Sequence, residues 1–473
     1  MIKIKHLSNP TLFSICILSL LIFRFGPYIQ GNSYDLVQHF LLVDEIMKHG
    51  GVRPPPIPNL TTMAVYPPAS HWMAAAIGWI GGSGLVGISL ITIVSVYLIY
   101  LMVVRLVAAD APTATLLFLA VFLALRFTRS QVGWEVVGNF FYPQLVADVA
   151  YFAILLWASN HREIPKQVLA MSLTGIVTMW IQPLVAIHIL ASGCVLLAFQ
   201  YAESWKNNSS ALTRNGFYLV VFIAVSISAV LLHPAFRIMR EISANDGDLE
   251  FRYGNVIVVS VLCAGVGLFN LWCRWTARAG FVDLILGSAV VAAAGLSMLQ
   301  FLLLVVHGDG SSYAVKKHMF IVFTLGIMNA VRALARLFPR ARKQPAFTGM
   351  MAPLVAGVMS FFVLRGFNTP VAPIIDAMNY ANHAASFDLP DFVPGNTVAD
   401  DPSLPRLANV MISLSAFQHP FNATAITWLR GASMRTGTEF VMVPHDADLA
   451  TACGARFAES ATYVIVEQAC LKH

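Results

Sequence analysis

Eleven stretches of this 473-residue chain are long, apolar and poor in charge: 11–30, 84–105, 112–127, 141–158, 167–181, 184–200, 217–233, 256–272, 282–306, 319–337 and 347–365. A helix of about 20 such residues crosses a bilayer core of about 30 Å. The pattern therefore predicts a multi-pass α-helical membrane protein of about 11 transmembrane helices. Composition agrees. Apolar residues make up 57% of the chain and charged ones 11%, and the mean hydropathy is +0.69. A soluble chain carries roughly 25% charge, so there is too little polar surface here to cover a water-facing globule. The net charge of +6 forms no basic stripe interleaved with aromatics, which excludes a nucleic-acid surface. Six cysteines do not make a disulfide scaffold, and the apolar content excludes disorder. The stretch 68–81 is apolar but short and ends in Gly81-Gly82, so it reads as an interfacial or re-entrant helix.

Lysine and arginine gather on the cytoplasmic side of membrane proteins. With Lys3 and Lys5 inside, the connections 106–111, 159–166, 201–216, 273–281 and 338–346 are cytoplasmic, and 31–67, 128–140, 182–183, 234–255 and 307–318 face outward. The outward set holds nine carboxylates (Asp35, Asp44, Glu45, Glu135, Glu241, Asp246, Asp248, Glu250 and Asp309), against Asp110, Glu163 and Glu203 inside. Acidic residues do little to set topology, so this imbalance points to function. An odd number of spans puts the C-terminus on the periplasmic side. There the charge changes sign: residues 1–366 are net +11 and residues 367–473 net −5. We expect a polytopic membrane domain over 1–366 and a soluble extracytoplasmic domain over 367–473. Two runs rich in β-branched and aromatic residues, 439–443 and 461–466, predict a small α/β fold for the latter. Cys453 and Cys470 lie in it; an oxidising exterior would let them pair, but two free buried thiols would leave the same sequence.

The first outward loop is the richest in chemistry. Asp35 and His39 are four residues apart, on one face of a helix. Asp35 follows directly on a span, where a partly desolvated carboxylate gains basicity and suits a general base. The bland alternative is that Asp35 caps the helix starting at Leu36. Glu45 lies further along, and after Pro54-Pro55-Pro56 and Pro58 the chain reads Tyr66-Pro67-Pro68, then His71. The second loop carries Arg129 and Glu135 and an aromatic run (Trp134, Phe140, Phe141, Tyr142) that reads as an interfacial belt. The fifth ends in Tyr313, Lys316, Lys317 and His318. Cations at an outward boundary run against the topological rule, which an anionic ligand such as phosphate would explain; lysines snorkelling to headgroups is the alternative.

An Asp soon after the first span, an amphipathic helix ending in Gly, a Pro-rich stretch and Tyr-Pro-Pro opening a short apolar helix occur in that order. This order resembles the GT-C superfamily of membrane glycosyltransferases that use polyprenyl-phosphate sugars, the aminoarabinose-transferase and protein-mannosyltransferase groups among them. The resemblance covers the first ~110 residues by motif and the rest by span count; Ile426 to Arg430 also looks like the start of such outer domains. It implies that Asp35 is the catalytic base or orients the acceptor. Where the family often has Asp-Glu this chain has Asp35-Leu36, so the role of that Glu is lost or moved to Glu45. Tyr66-Pro67-Pro68 matches the element that shapes the site floor, and Tyr313 with Lys316 matches a Tyr-x-x-Lys element. The expected substrate-binding residues are then His39, Glu45, Tyr66, His71, Arg129, Glu135, Tyr313, Lys316, Lys317 and His318. A divalent metal on Asp35, His39 and Glu135 is an option that their spacing does not demand. The implied partners are a lipid-linked sugar donor and a glycan, glycolipid or protein acceptor at the cell membrane. The implied reaction is a single, inverting displacement. A secondary transporter or flippase, and a polysaccharide polymerase or ligase, are the competing readings; the former would place charged groups at the membrane midplane.

Overall fold

The computed structural model describes residues 9–109, 113–128, 131–243, 253–308, 311–337, 345–387, 393–420, 424–435, 437–446, 453 and 462–472. Helix α1 (Pro10–Phe25) leads into the first long loop, which holds α2 (Tyr34–His49) and α3 (Ala69–Gly81). Then come α4 (Gly84–Ala108), α5 (Thr113–Ala124), the short α6 (Trp134–Gly138), α7 (Tyr142–Asn160), α8 (Ile164–Met179) and α9 (Pro183–Lys206). Next are α10 (Leu212–Leu232), the short α11 (Pro234–Ser243), α12 (Tyr253–Trp275), α13 (Phe281–His307), α14 (Ser312–Ala335) and α15 (Pro345–Leu364). Each apolar stretch of the sequence is a helix. Among the described residues α4, α9, α10, α12, α13 and α14 are long and apolar enough to cross a membrane, and α1, α5 and most of α15 are apolar and shorter. The chain is a multi-pass α-helical membrane protein with a small C-terminal sheet.

Two features of the bundle follow from lipid as solvent. Helix α10 leaves Phe217, Val220, Ile227, Leu231 and Leu232 exposed, all apolar, as a lipid-facing surface requires. One charged cluster inside the bundle is paired: Arg332 Nε lies 2.6 Å and Arg336 Nη1 3.1 Å from Asp283 Oδ1. Helix α3 lies against α4 where Gly87 has no side chain; a Cβ there would come within 2.0 Å of the Ala74 carbonyl oxygen. The opposite face of α3 exposes Trp72, Trp79 and Ile80, as an interfacial helix would.

After α15 come α16 (Val371–Ala385), β1 (Thr397–Ala399), α17 (Arg406–Ser415), α18 (Thr424–Leu429), β2 (Phe440–Pro444) and β3 (Tyr463–Glu467). The sheet order is β1-β2-β3, with β1 parallel to β2 (Val398 opposite Val441) and β2 antiparallel to β3 (Met442 opposite Ile465). The short β1 escapes a pattern search because three residues are too few to show alternation. Cys453 and Cys470 form a disulfide. The buried side chains of this part continue into the first loop: Val398, Met411, Leu414 and Val464 share one core with Leu36, Val37, Leu60 and Ala74. Polar ties reinforce the junction. Ser415 Oγ donates to Asp44 Oδ2 (2.5 Å), and Asn59 Nδ2 donates to the carbonyls of Leu414 and His419 (2.9 Å each). Helix α2 is thus gripped by the bundle on one side and by the C-terminal elements on the other.

Candidate active site

Helix α2 begins at Tyr34 with Ser33 in the extended N-cap position, and it ends at Gly50, whose left-handed backbone (φ 69°) lets its N–H reach the Ile46 carbonyl. Asp35 therefore lies inside the first turn and is not the cap. Ser33 is committed elsewhere, donating to the Asn139 carbonyl at 2.5 Å, which ties the helix start to the second loop. Leu36, Val37, Phe40 and Leu41 are buried and fix the rotation of α2. Asp35 and His39 are left one turn apart on the face turned to the bundle.

Asp35 Oδ2 accepts a hydrogen bond from the Tyr313 hydroxyl at 3.0 Å, 278 residues away. Tyr313 and Lys317 share a face of α14 at i, i+4. The Lys317 ammonium sits 4.0 Å above the Tyr313 ring and 4.8 Å from the Phe141 ring. Among the described residues no carboxylate lies within ion-pair distance of it, so it is a cation held by ring faces with its charge uncompensated at contact range. Burial raises the Asp35 carboxyl above its ordinary 3.8, and Lys317 and the Tyr313 hydrogen bond oppose that rise. The arrangement is a basic carboxylate beside a cation, both partly buried.

Behind Asp35 stands a pair of histidines. His39 Nδ1 is 2.9 Å from His71 Nε2. The His39 ring is edge-on to Tyr66 at 5.7 Å and tilted against Phe140 at 5.8 Å and Tyr142 at 6.1 Å. Burial, then His71 and Lys317, hold His39 well below its ordinary 6.5, and burial pushes His71 down to about 3. Both rings are neutral at physiological pH. Burial also raises the Tyr66 hydroxyl, so it stays protonated.

Lys316 turns the other way. One residue is 100° of helix, so relative to Tyr313 the side chains of Lys316, Lys317 and His318 point about −60°, +40° and +140° around α14. Lys316 pairs with Glu135 at 2.5 Å, and His318 Nδ1 meets His188 Nε2 at 2.8 Å in the bundle interior. Three expectations are corrected by this. The cation facing Asp35 is Lys317, not the Lys316 of the Tyr-x-x-Lys match. His318 faces the interior, away from Tyr313. Glu45 does not take over a role beside Asp35: it is buried under Arg53, whose Nε lies 2.8 Å from Oε1, and it sits ten residues along α2, about 15 Å by helical rise. Arg129 lies outside the described residues.

The Glu135 loop depends on Gly133, at φ 107° and with a virtual Cβ 2.1 Å from the Tyr100 hydroxyl. That hydroxyl donates to the Val132 carbonyl at 2.8 Å, so it cannot retreat without losing a buried bond. Gly133→Ala is expected to destabilise the protein by at least about 1–3 kcal/mol, the cost of a left-handed non-glycine residue. Thermal unfolding of the purified protein reads this as a lowered midpoint, and an unchanged midpoint would show that the turn rearranges freely.

Among the described residues no three His, Cys, Asp or Glu side chains gather so as to hold a metal ion. Glu135 is taken by Lys316 and does not join Asp35 and His39. The aromatic run reads differently in three dimensions: Phe140, Phe141 and Tyr142 are each no more than 2% exposed and line the histidine pair and Lys317, so they are walls of the site and not a belt. Phe140 holds φ 59°, a strained conformation for an aromatic residue. Sequence reading also missed Gln144, which donates to the Lys317 carbonyl (3.1 Å), and Gln182, which reaches the Tyr66 hydroxyl at 3.4 Å; neither sits in a motif that would single it out.

No protein-family model matches this sequence, and no curated protein matches it. Two solved structures are similar in fold. One is the crystal structure of ArnT from Cupriavidus metallidurans bound to undecaprenyl phosphate, with a TM-score of 0.47 and 13% identity over 97% of each chain. The other is ArnT from the same organism in the apo state, with a TM-score of 0.45 and 13% identity over 97% of each chain. Both are ArnT structures, at low sequence identity.

Proposed function

We propose that this chain is a membrane glycosyltransferase that moves a sugar from a polyprenyl-phosphate donor to an acceptor hydroxyl at the extracytoplasmic face. The observation that carries the reading is the meeting of Asp35 with Tyr313 and Lys317, Tyr313 lying 278 residues away in the chain, which puts a basic carboxylate beside a cation unpaired at contact range. The acceptor oxygen attacks the anomeric carbon as Asp35 takes its proton. The bond from that carbon to the phosphate oxygen breaks, and its electron pair leaves with the phosphate. Lys317 stabilises the new charge, in a site where preorganised electrostatics act with little screening. Phosphate departs without protonation, so one carboxylate suffices, unlike the two of glycoside hydrolases. A single displacement inverts the anomeric centre. The Cys453–Cys470 disulfide supports an oxidising, extracytoplasmic side for the C-terminal elements and hence a cytoplasmic N-terminus.

The test is the lipid extract of cells lacking the protein. A polyprenyl-phosphate sugar should accumulate there and disappear when the wild-type chain is restored; an extract unchanged in both would overturn the reading. A second reading, transport or flipping of an anionic substrate, has one observation in its favour: Asp148 on α7 is fully buried with, among the described residues, no hydrogen-bond partner on either oxygen. It would be upheld by uptake into vesicles that contain no lipid-linked sugar, with Asp148→Asn abolishing it.

A further inference from the structure

Thr61 holds a backbone conformation that its own side chain disfavours. It has φ 44° and ψ −125° inside the 3₁₀ stretch Pro58–Val65. That region mirrors the extended one, so it is open to glycine and strained for a β-branched residue. Such strain persists only where the surroundings impose it. Here they do: Leu60 and Met63 on either side are buried, and Asn59 is bonded to the carbonyls of Leu414 and His419. Thr61 itself is exposed, so its methyl group gains little packing in return. What its hydroxyl meets is Gln38, whose Oε1 lies 3.5 Å away, at the edge of hydrogen-bonding range. Gln38 also bonds the Tyr34 hydroxyl at 2.5 Å, and it stands one turn after Asp35 on α2. Whichever way round the amide lies, those two bonds leave it one N–H and one lone pair. Among the described residues nothing takes up either.

We propose that Thr61 and Gln38 form a subsite for the acceptor, holding ring hydroxyls of a saccharide next to the hydroxyl that Asp35 deprotonates. This rests on the glycosyltransferase reading and adds the acceptor class to it. The Thr61 hydroxyl and the Gln38 amide each donate and accept, as sugar hydroxyls do, and neither carries charge. Separate elements serve the two substrates. Helix α14 brings Lys317, the cation for the donor phosphate, while α2 and the first loop bring the neutral groups for the acceptor. The strain at Thr61 is what it takes to present a hydroxyl beside Gln38 at a position where glycine would sit more easily.

The experiment uses the full chain in lipid nanodiscs, titrated with the methyl glycosides of glucose, galactose and mannose while thermal unfolding is followed. At least one glycoside should raise the wild-type midpoint. Its apparent Kd should rise about three- to ten-fold in Thr61→Gly and in Gln38→Leu, the loss of one hydrogen bond. In Thr61→Ser, which keeps the hydroxyl, it should stay near the wild-type value. Without glycoside, Thr61→Gly should unfold at a higher temperature than the wild type, because relief of strain outweighs the chain entropy that glycine adds to the unfolded state. A merely structural Thr61 would lower that midpoint instead. In transfer assays Thr61→Gly and Gln38→Leu should raise the acceptor KM more than they lower kcat. A lowered or unchanged midpoint in Thr61→Gly, no response to any of the glycosides, or an unchanged affinity in either variant would each overturn the proposal. Those outcomes leave the role of Asp35 standing. Conversely, full transfer by Asp35→Asn would overturn the enzyme reading while leaving the glycoside affinities as measured.

Discussion

Asp35→Asn is expected to cut glycosyl transfer about 10²–10⁴-fold, the usual worth of a positioned general base, with an undiminished amount of inserted protein. Asn has the same shape and its Oδ1 can still accept the Tyr313 hydrogen bond, so the local packing is kept and only the proton acceptor is lost. The effect should carry a pH signature. Transfer needs the carboxylate form, and burial raises the Asp35 pKa, so kcat/KM of the wild type should fall on the acid side at a pH above 3.8. Tyr313 and Lys317 both hold that pKa down. Removing either, in Tyr313→Phe or Lys317→Met, should therefore move the acid limb further up, towards neutral pH. Transfer rates across a pH series, with protein integrity checked at each point, measure this. A limb that stays put in both variants would show that another group is the base.

Lys317→Gln is expected to lower kcat about 10²–10³-fold, the cost of removing one electrostatic donor from a transition state. Lys316→Gln should do less to kcat and more to stability. The reason lies in their partners: Lys317 has only the ring faces of Tyr313 and Phe141 under its ammonium, so its charge is available to a leaving phosphate. Lys316 already spends its charge on Glu135 in a half-buried pair, and removing one member strands the other. Purified variants assayed side by side with one donor decide between them. A larger kcat loss in Lys316→Gln would move the leaving group to the Glu135 side of α14.

Several parts of this molecule were legible without coordinates. That the apolar stretches are helices follows from hydropathy alone, because a backbone in lipid must satisfy its own hydrogen bonds and a helix does so within one segment; among the described residues six of these helices, against the eleven expected, are long and apolar enough to cross a membrane. Asp35, His39 and the Tyr313–His318 segment stand out in the sequence as polar residues at membrane boundaries, and the structure brings Asp35, Tyr313 and Lys317 together. The Tyr66–His71 stretch was found by its order in the chain. The aromatic run was misread because Phe140–Tyr142 have the composition of an interfacial belt, and only their burial shows that they are walls. Glu45 pairs instead with Arg53, which lies across the Gly50-Gly51 turn, whose path no periodicity gives.

The sequence by itself determined that this chain lives in a membrane, that its apolar stretches are helices, and that polar groups concentrate in the first long loop and at the start of α14, since each of these is a local property of ten to twenty residues. Tertiary structure alone decided which lysine meets Asp35, which histidine holds His39, and that the C-terminal elements share a core with α2. Lys316 and Lys317 are chemically identical neighbours. What separates them is 100° of rotation about α14, and that rotation is set by packing against helices hundreds of residues away.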